Sequence, residues 1–106
     1  MNAESSFGQR RRGGELSTAQ SEELALAVFG RVCADEERLG RFLSLSGLDP
    51  GSIRRAAAEP GFLPAVLDHV LGDESLVLAI AAELGERPER LGEARRRLAP
   101  EPDWGA

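Results

Sequence analysis

The chain has no lysine and no tyrosine, and only one cysteine, one histidine and one tryptophan in 106 residues. A single thiol, Cys33, cannot close an internal disulfide, and without Cys and His at ligand spacing a structural zinc site is excluded. The expected setting is cytoplasmic, with no cofactor. No apolar run reaches the length of a bilayer span, because Gly72, Asp73 and Glu74 interrupt the longest candidate. The N-terminal stretch MNAESSFGQRRRGGEL has no apolar segment after its arginines, so it does not read as a secretory signal. Strand patterns are missing throughout, and with them any glycine-rich phosphate loop between a strand and a helix. An excess of basic residues is missing too. The formal net charge is -5, which disfavours general nucleic-acid binding through phosphate neutralisation.

What the chain does have is helical periodicity, in a length suited to one domain. Residues 1–16 combine Ser, Gly, Gln and the triplet Arg10, Arg11 and Arg12, which is the composition of a disordered basic arm. A single helical domain is expected over 17–98. Its first helix begins after Ser17, with Gln20 completing a capping box, and runs to about Cys33 along a stripe of Leu24, Val28 and Val32 flanked by Phe29 and Cys33. Asp35 caps a second helix that turns Leu39, Phe42 and Leu43 inward and stops at Gly47. Asp49 and Pro50 open a short third helix, which Glu59, Pro60 and Gly61 break.

The stretch FLPAVLDHVLGDESLVLAIAAEL over residues 62–84 supplies the fourth and fifth helices, and its second half, residues 76–82, is apolar at every position. A helix with no wet face belongs at the centre of a bundle. Pro88 opens a sixth helix with Leu91, Ala94 and Leu98 inward. The remainder, residues 99–106, carries two prolines and the isolated Trp104 and is expected to be a disordered tail.

A shift of 38 residues aligns Val28 with Val66, Val32 with Val70, Asp35 with Asp73, Phe42 with Ile80, Gly47 with Gly85 and Pro50 with Pro88. The expected architecture is therefore all-α: a compact bundle of five to six helices. It divides into two tandem units of long, medium and short helices that a pseudo-two-fold would relate. The second unit is the greasier, since Leu76, Leu78 and Ala79 replace Arg38, Gly40 and Arg41. Its apolar helix is either enclosed or partly exposed as a sticky face.

The strings DEERLGRFLSLSGLDP at 35–50, IRRAA at 53–57, FLPAVLDHVLGDESLVLAIAAELG at 62–85 and PER at 88–90 resemble a family of short proteins, typical of proteobacteria, catalogued only as a domain of unknown function. The resemblance covers about the last two thirds of the chain. It implies an all-helical cytoplasmic domain and brings with it no catalytic residue, cofactor or partner. Arg87 stands where members of that family carry an acidic or small capping residue before the last proline.

Few residues suggest chemistry. Asp68, His69 and Asp73 place two carboxylates beside the only imidazole, yet no nucleophile or metal ligand accompanies them, and a surface histidine accounts for the pattern. Cys33 reads as a small buried apolar residue. Glu36, Glu37, Asp73 and Glu74 are accounted for by capping and the helix dipole. A cationic set remains: Arg54 and Arg55 on the third helix, and Arg87, Arg90, Arg95, Arg96 and Arg97 around the sixth. These seven form the candidate interaction surface, against the plainer reading of dipole complementation and i, i+4 pairs such as Glu86 with Arg90 and Glu93 with Arg97.

The functional expectation is a non-enzymatic module that self-associates as a homodimer or docks an unidentified protein, through the face of the fourth and fifth helices. The competing expectation is a nucleic-acid-binding accessory that uses the arginines of the third and sixth helices.

Overall fold

The computed structural model describes residues 14–98; the triplet Arg10, Arg11 and Arg12 and the tail from residue 99 lie outside the described residues. Within them are six α-helices and one 3-10 turn, and no strand: α1 Thr18–Cys33, α2 Glu36–Ser46, the 3-10 turn Pro50–Ser52, α3 Ile53–Ala57, α4 Phe62–Leu71, α5 Glu74–Leu84 and α6 Pro88–Leu98.

The helix ends follow from local chemistry. Gln20 N–H donates to Ser17 Oγ at 3.0 Å and Ser17 N–H to Gln20 Oε1 at 2.8 Å, the reciprocal pair of a capping box. Asp35 accepts from the backbone N–H of Glu37 and Arg38, and Asp73 from that of Leu76. The carboxylates thus satisfy donors that the first turns of α2 and α5 leave open. Gly47 and Gly85 close the same two helices at φ 78° and 68°, the left-handed region where a side chain would be strained.

Three helices, α1, α4 and α6, pack on one another at the centre, with α5 laid against α4, α6 and α1, and α2 against α1. The core holds Ala25, Val28 and Val32 from α1, Phe42 from α2, Val66, Leu67 and Val70 from α4, Val77, Ile80 and Ala81 from α5, and Leu91 and Ala94 from α6. The small residues Ala25 and Ala94 have no exposed surface.

Several expectations are corrected. Helix α5 buries Val77 and Ile80, yet Leu78 is 51% exposed, so the apolar helix has a wet side and is not the hub. A helix that is apolar all round can bury any of its faces, and its neighbours decide which one. Helix α1 is rotated from its expected setting. Ser21, Ala25, Val28 and Val32 are inward, Leu24 and Phe29 are half-buried, and Cys33 is exposed at the helix end. Ser21 Oγ is buried with no hydrogen-bond partner.

Asp35 and Asp73 both cap, Gly47 and Gly85 both close a helix, and Val28 with Val66, Val32 with Val70 and Phe42 with Ile80 are buried in both halves, but the helix lengths do not correspond. Helix α1 has 16 residues against ten in α4, and α3 has five and no buried residue where α6 has eleven and sits at the centre.

The last residues of the expected arm are held in place. Arg90 donates to Gly14 O at 3.2 Å, Leu16 N–H donates to Glu93 at 2.8 Å, and Arg97 Nε donates to Leu16 O at 3.1 Å. Leu16 enters the core beside them. Composition alone predicts disorder here because the partners that order the strap lie about eighty residues away in the chain.

Candidate interaction surface

The aromatic residues of α1, α2 and α4 form one cluster. Phe29 meets Phe62 edge-on with centroids 5.0 Å apart, and Phe42 stands 6.0 Å from Phe29 and 6.2 Å from Phe62, all three pairs being edge-to-face. His69, one helical turn beyond Ala65 on α4, presents its ring to Phe42 at 5.1 Å and 80°. Between α2 and α4, over this cluster, runs a groove of about 540 Å³ lined by Phe42, Leu45, Leu48, Phe62, Ala65 and His69, with Ser46 and Asp68 also bordering it. Leu45 is 70% exposed, the most open of the large apolar residues among the described residues. Phe42 faces the core, and Leu45, one turn later on α2, lines the groove and stays open to solvent.

His69 is half-buried, whereas the sequence suggests a surface residue. Its pKa is lowered, first by desolvation and then by the charge of Arg41, with Asp73 opposing more weakly. Asp73 accepts from Leu76 N–H, and Asp68 accepts from Arg95 Nε at 2.7 Å and from Arg95 again at 3.1 Å. The two acids beside the imidazole therefore serve a helix cap and an interhelical ion pair. Among the described residues no three His, Cys, Asp or Glu side chains converge in a way that could hold a metal. Partial desolvation pushes the Cys33 thiol above its ordinary value, the opposite of activation.

The seven candidate arginines separate into two groups. Arg90 is 5% exposed and bonded to Gly14 and Glu93, Arg97 is bonded to Leu16, and Arg95 ties α6 to α4 through Asp68. Arg54, Arg55, Arg87 and Arg96 are exposed. Helix α3 packs on α4 and on the turn before it, while α6 packs on α1, α4 and α5. A second cleft, of about 390 Å³, lies along the strap between Glu15, Leu16, Glu93, Arg96 and Arg97. It is the more polar of the two, but Glu93 and Arg97 already bond the backbone of Leu16 there.

One polar cluster escaped the sequence reading. Glu83 on α5 accepts from Arg31 Nε of α1 at 3.0 Å and from both terminal nitrogens of Arg38 on α2, at 3.0 and 2.8 Å. Arg38 also donates to Arg31 O at 3.3 Å. The hydrogen bonds from Arg38 and then Arg31 pull the Glu83 carboxyl from 4.5 to about 2, and the Arg38 guanidinium shifts upward in turn.

Because the folded pKa is depressed, the clamp contributes its full stability above pH 4.5 and loses it as the pH falls towards about 2. The urea midpoints of wild type and Glu83→Gln should therefore differ most at neutral pH and converge on acidification through that window. The gap should also narrow in high salt, since the group is open to water. A gap that stays constant down to the bottom of the window would refute the clamp.

The observations define a class: an all-α domain with an apolar groove bordered by Asp68 and His69. The family described as protein of unknown function, DUF3572, matches residues 18–101, and the chain belongs to it. No curated protein and no solved structure matches the chain. Among the described residues no helix is long and apolar enough to cross a membrane.

Proposed function

We propose that this domain is a non-enzymatic protein-interaction module whose docking surface is the groove between α2 and α4. The observation that carries the proposal is Leu45, widely exposed at the mouth of an apolar groove floored by Phe42 and Phe62. Aromatic and aliphatic side chains clustered in a concavity with charged residues at its edge are the composition of a protein-binding groove. This moves the docking face from α4 and α5, where the apolar run suggests it, to α2 and α4. The occupant that fits is a segment of a protein partner bearing one or two bulky apolar side chains. The nucleic-acid reading draws less support, because Arg90, Arg95 and Arg97 are engaged within the fold.

Site-specific photo-crosslinking in the native cell tests the reading. A benzophenone side chain in place of Leu45 or Ala65 should give a discrete protein adduct, while the same group in place of the exposed Glu22 on α1 should not. An adduct of twice the chain's 11.4 kDa would identify a second copy as the partner. No adduct from the groove positions, or the same adducts from Glu22, would overturn the proposal.

A further inference from the structure

The aspartates around the α2–α4 groove are engaged within the fold, and the Arg41 guanidinium beside it is not. We infer that the groove takes an amphipathic helix of an acidic protein partner, which seats apolar side chains from two successive turns over Phe42 and Phe62 and pairs a carboxylate one turn away with Arg41. The inference rests on the reading of the groove as a docking surface and adds the shape and charge of what docks there.

Along α4 the groove is lined by Phe62, Ala65 and His69, at positions i, i+3 and i+7. These share one helical face over about 10 Å, or two turns. Ala65 is the smallest of the three, so the row dips between two rings. Along α2 the lining is Phe42, Leu45 and Ser46, with Leu48 just past the helix end. Two rows of side chains on neighbouring helices make a trough that receives the ridge of a third helix. Two turns of that helix bring two apolar side chains, three or four positions apart, onto the floor. An extended segment finds no equivalent support, because the described residues contain no strand whose edge it could join.

Charge narrows the partner further. Asp68 accepts from Arg95, Asp49 beside Leu48 accepts from Ser52 N–H, and Asp73, one turn after His69, accepts from Leu76 N–H. Arg41 stands one turn before Leu45 on the same side of α2 and is exposed. Its guanidinium makes no hydrogen bond or ion pair with any described residue, Glu37 one turn earlier included. At the His69 ring the positive charge of Arg41 outweighs the opposing charge of Asp73. This end of the groove is therefore positive on balance, although the whole chain carries a net charge of -5. A carboxylate placed there finds an unpaired cation, whereas a second cation meets repulsion.

A displayed library of helical peptides, randomised along one face and selected against the 106-residue protein, tests shape and charge together. Selected sequences should carry two bulky apolar residues three or four positions apart and an Asp or Glu one turn from them. A synthetic peptide of the selected consensus should bind about two- to fivefold more weakly to Arg41→Ala and roughly tenfold more weakly to Arg41→Glu. Replacing its acid by lysine should restore the affinity for Arg41→Glu, and Leu45→Glu should abolish binding. Arg41 and Leu45 are exposed, so these changes leave the core in place, and an unchanged helical circular dichroism spectrum verifies it. In the native cell, Arg41→Glu should lower the yield of the adduct from a benzophenone at position 65.

Peptides that need Leu45 but show no preference for an acid, or that bind Arg41→Glu as tightly as wild type, overturn the inference and leave the docking surface standing. A selection that yields no peptide dependent on Leu45 overturns the groove reading and the inference with it. A native-cell adduct of twice the chain's mass puts a second copy in the groove and overturns the acidic partner helix.

Discussion

Replacing Leu91 by alanine should cost about 2–5 kcal/mol, the range for deleting a fully buried leucine and leaving part of the cavity unfilled. Leu91 has no exposed surface and sits on α6 among the helices that form the centre. Leu78 on α5 is half exposed, and its replacement by alanine should change stability by no more than about 0.5 kcal/mol. A domain of this size has about 5–15 kcal/mol in total, so the first change removes a large share and the second almost nothing. Urea unfolding followed by circular dichroism compares them directly. The contrast discriminates between two architectures. If the apolar α5 were the hub, Leu78→Ala would be as damaging as Leu91→Ala, and finding the two equal would reject the α1, α4 and α6 centre.

The second large effect should come from a residue that looks like surface. Arg90→Ala is expected to cost about 2–3 kcal/mol, because it removes charge-assisted hydrogen bonds from a nearly buried guanidinium and the packing of its aliphatic stem. The same change at the exposed Arg96 should fall within about 0.5 kcal/mol. Stability alone would not locate the cause. Hydrogen exchange does, because Leu16 N–H is bonded to Glu93, whose other oxygen pairs with Arg90 at 2.9 Å. The Leu16 amide should lose protection in Arg90→Ala and keep it in Arg96→Ala. If Arg90 belonged to an outward-facing nucleic-acid surface, its loss would leave both stability and Leu16 protection unchanged.

These arginines show where reading the chain residue by residue stops. Arg90 and Arg96 belong to the same helix and the same composition, and nothing within four positions separates a buried strut from a solvated charge. The difference lies with Gly14, which is 76 positions from Arg90. Glu83 makes the same point. Its partners Arg31 and Arg38 are 52 and 45 positions away, on two other helices. The groove was only partly legible: Phe42 was expected to face inward on α2, but Leu45, which the fold leaves exposed at the groove, was not singled out. That Leu45 is left uncovered depends on how α2 and α4 each rest on α1. Cys33 and Leu24 went astray together, because a modest rotation of α1 about its axis moves an entire stripe, and several neighbouring stripes of that helix are apolar enough to serve.

Helix number, helix ends and the absence of strands among the described residues were written locally. Ser17 with Gln20, Asp35, Asp49, Asp73, Gly47, Gly85 and Pro88 each act on backbone groups within one turn, and such chemistry needs no knowledge of the rest of the molecule. The choice of hub, the face each helix turns inward, the clamp on Glu83 and the strap on α6 were settled only when the helices packed. Burial energy is nearly indifferent to which apolar face is covered, so shape complementarity and the pairing of distant charges decide among arrangements that the residue pattern leaves nearly equal.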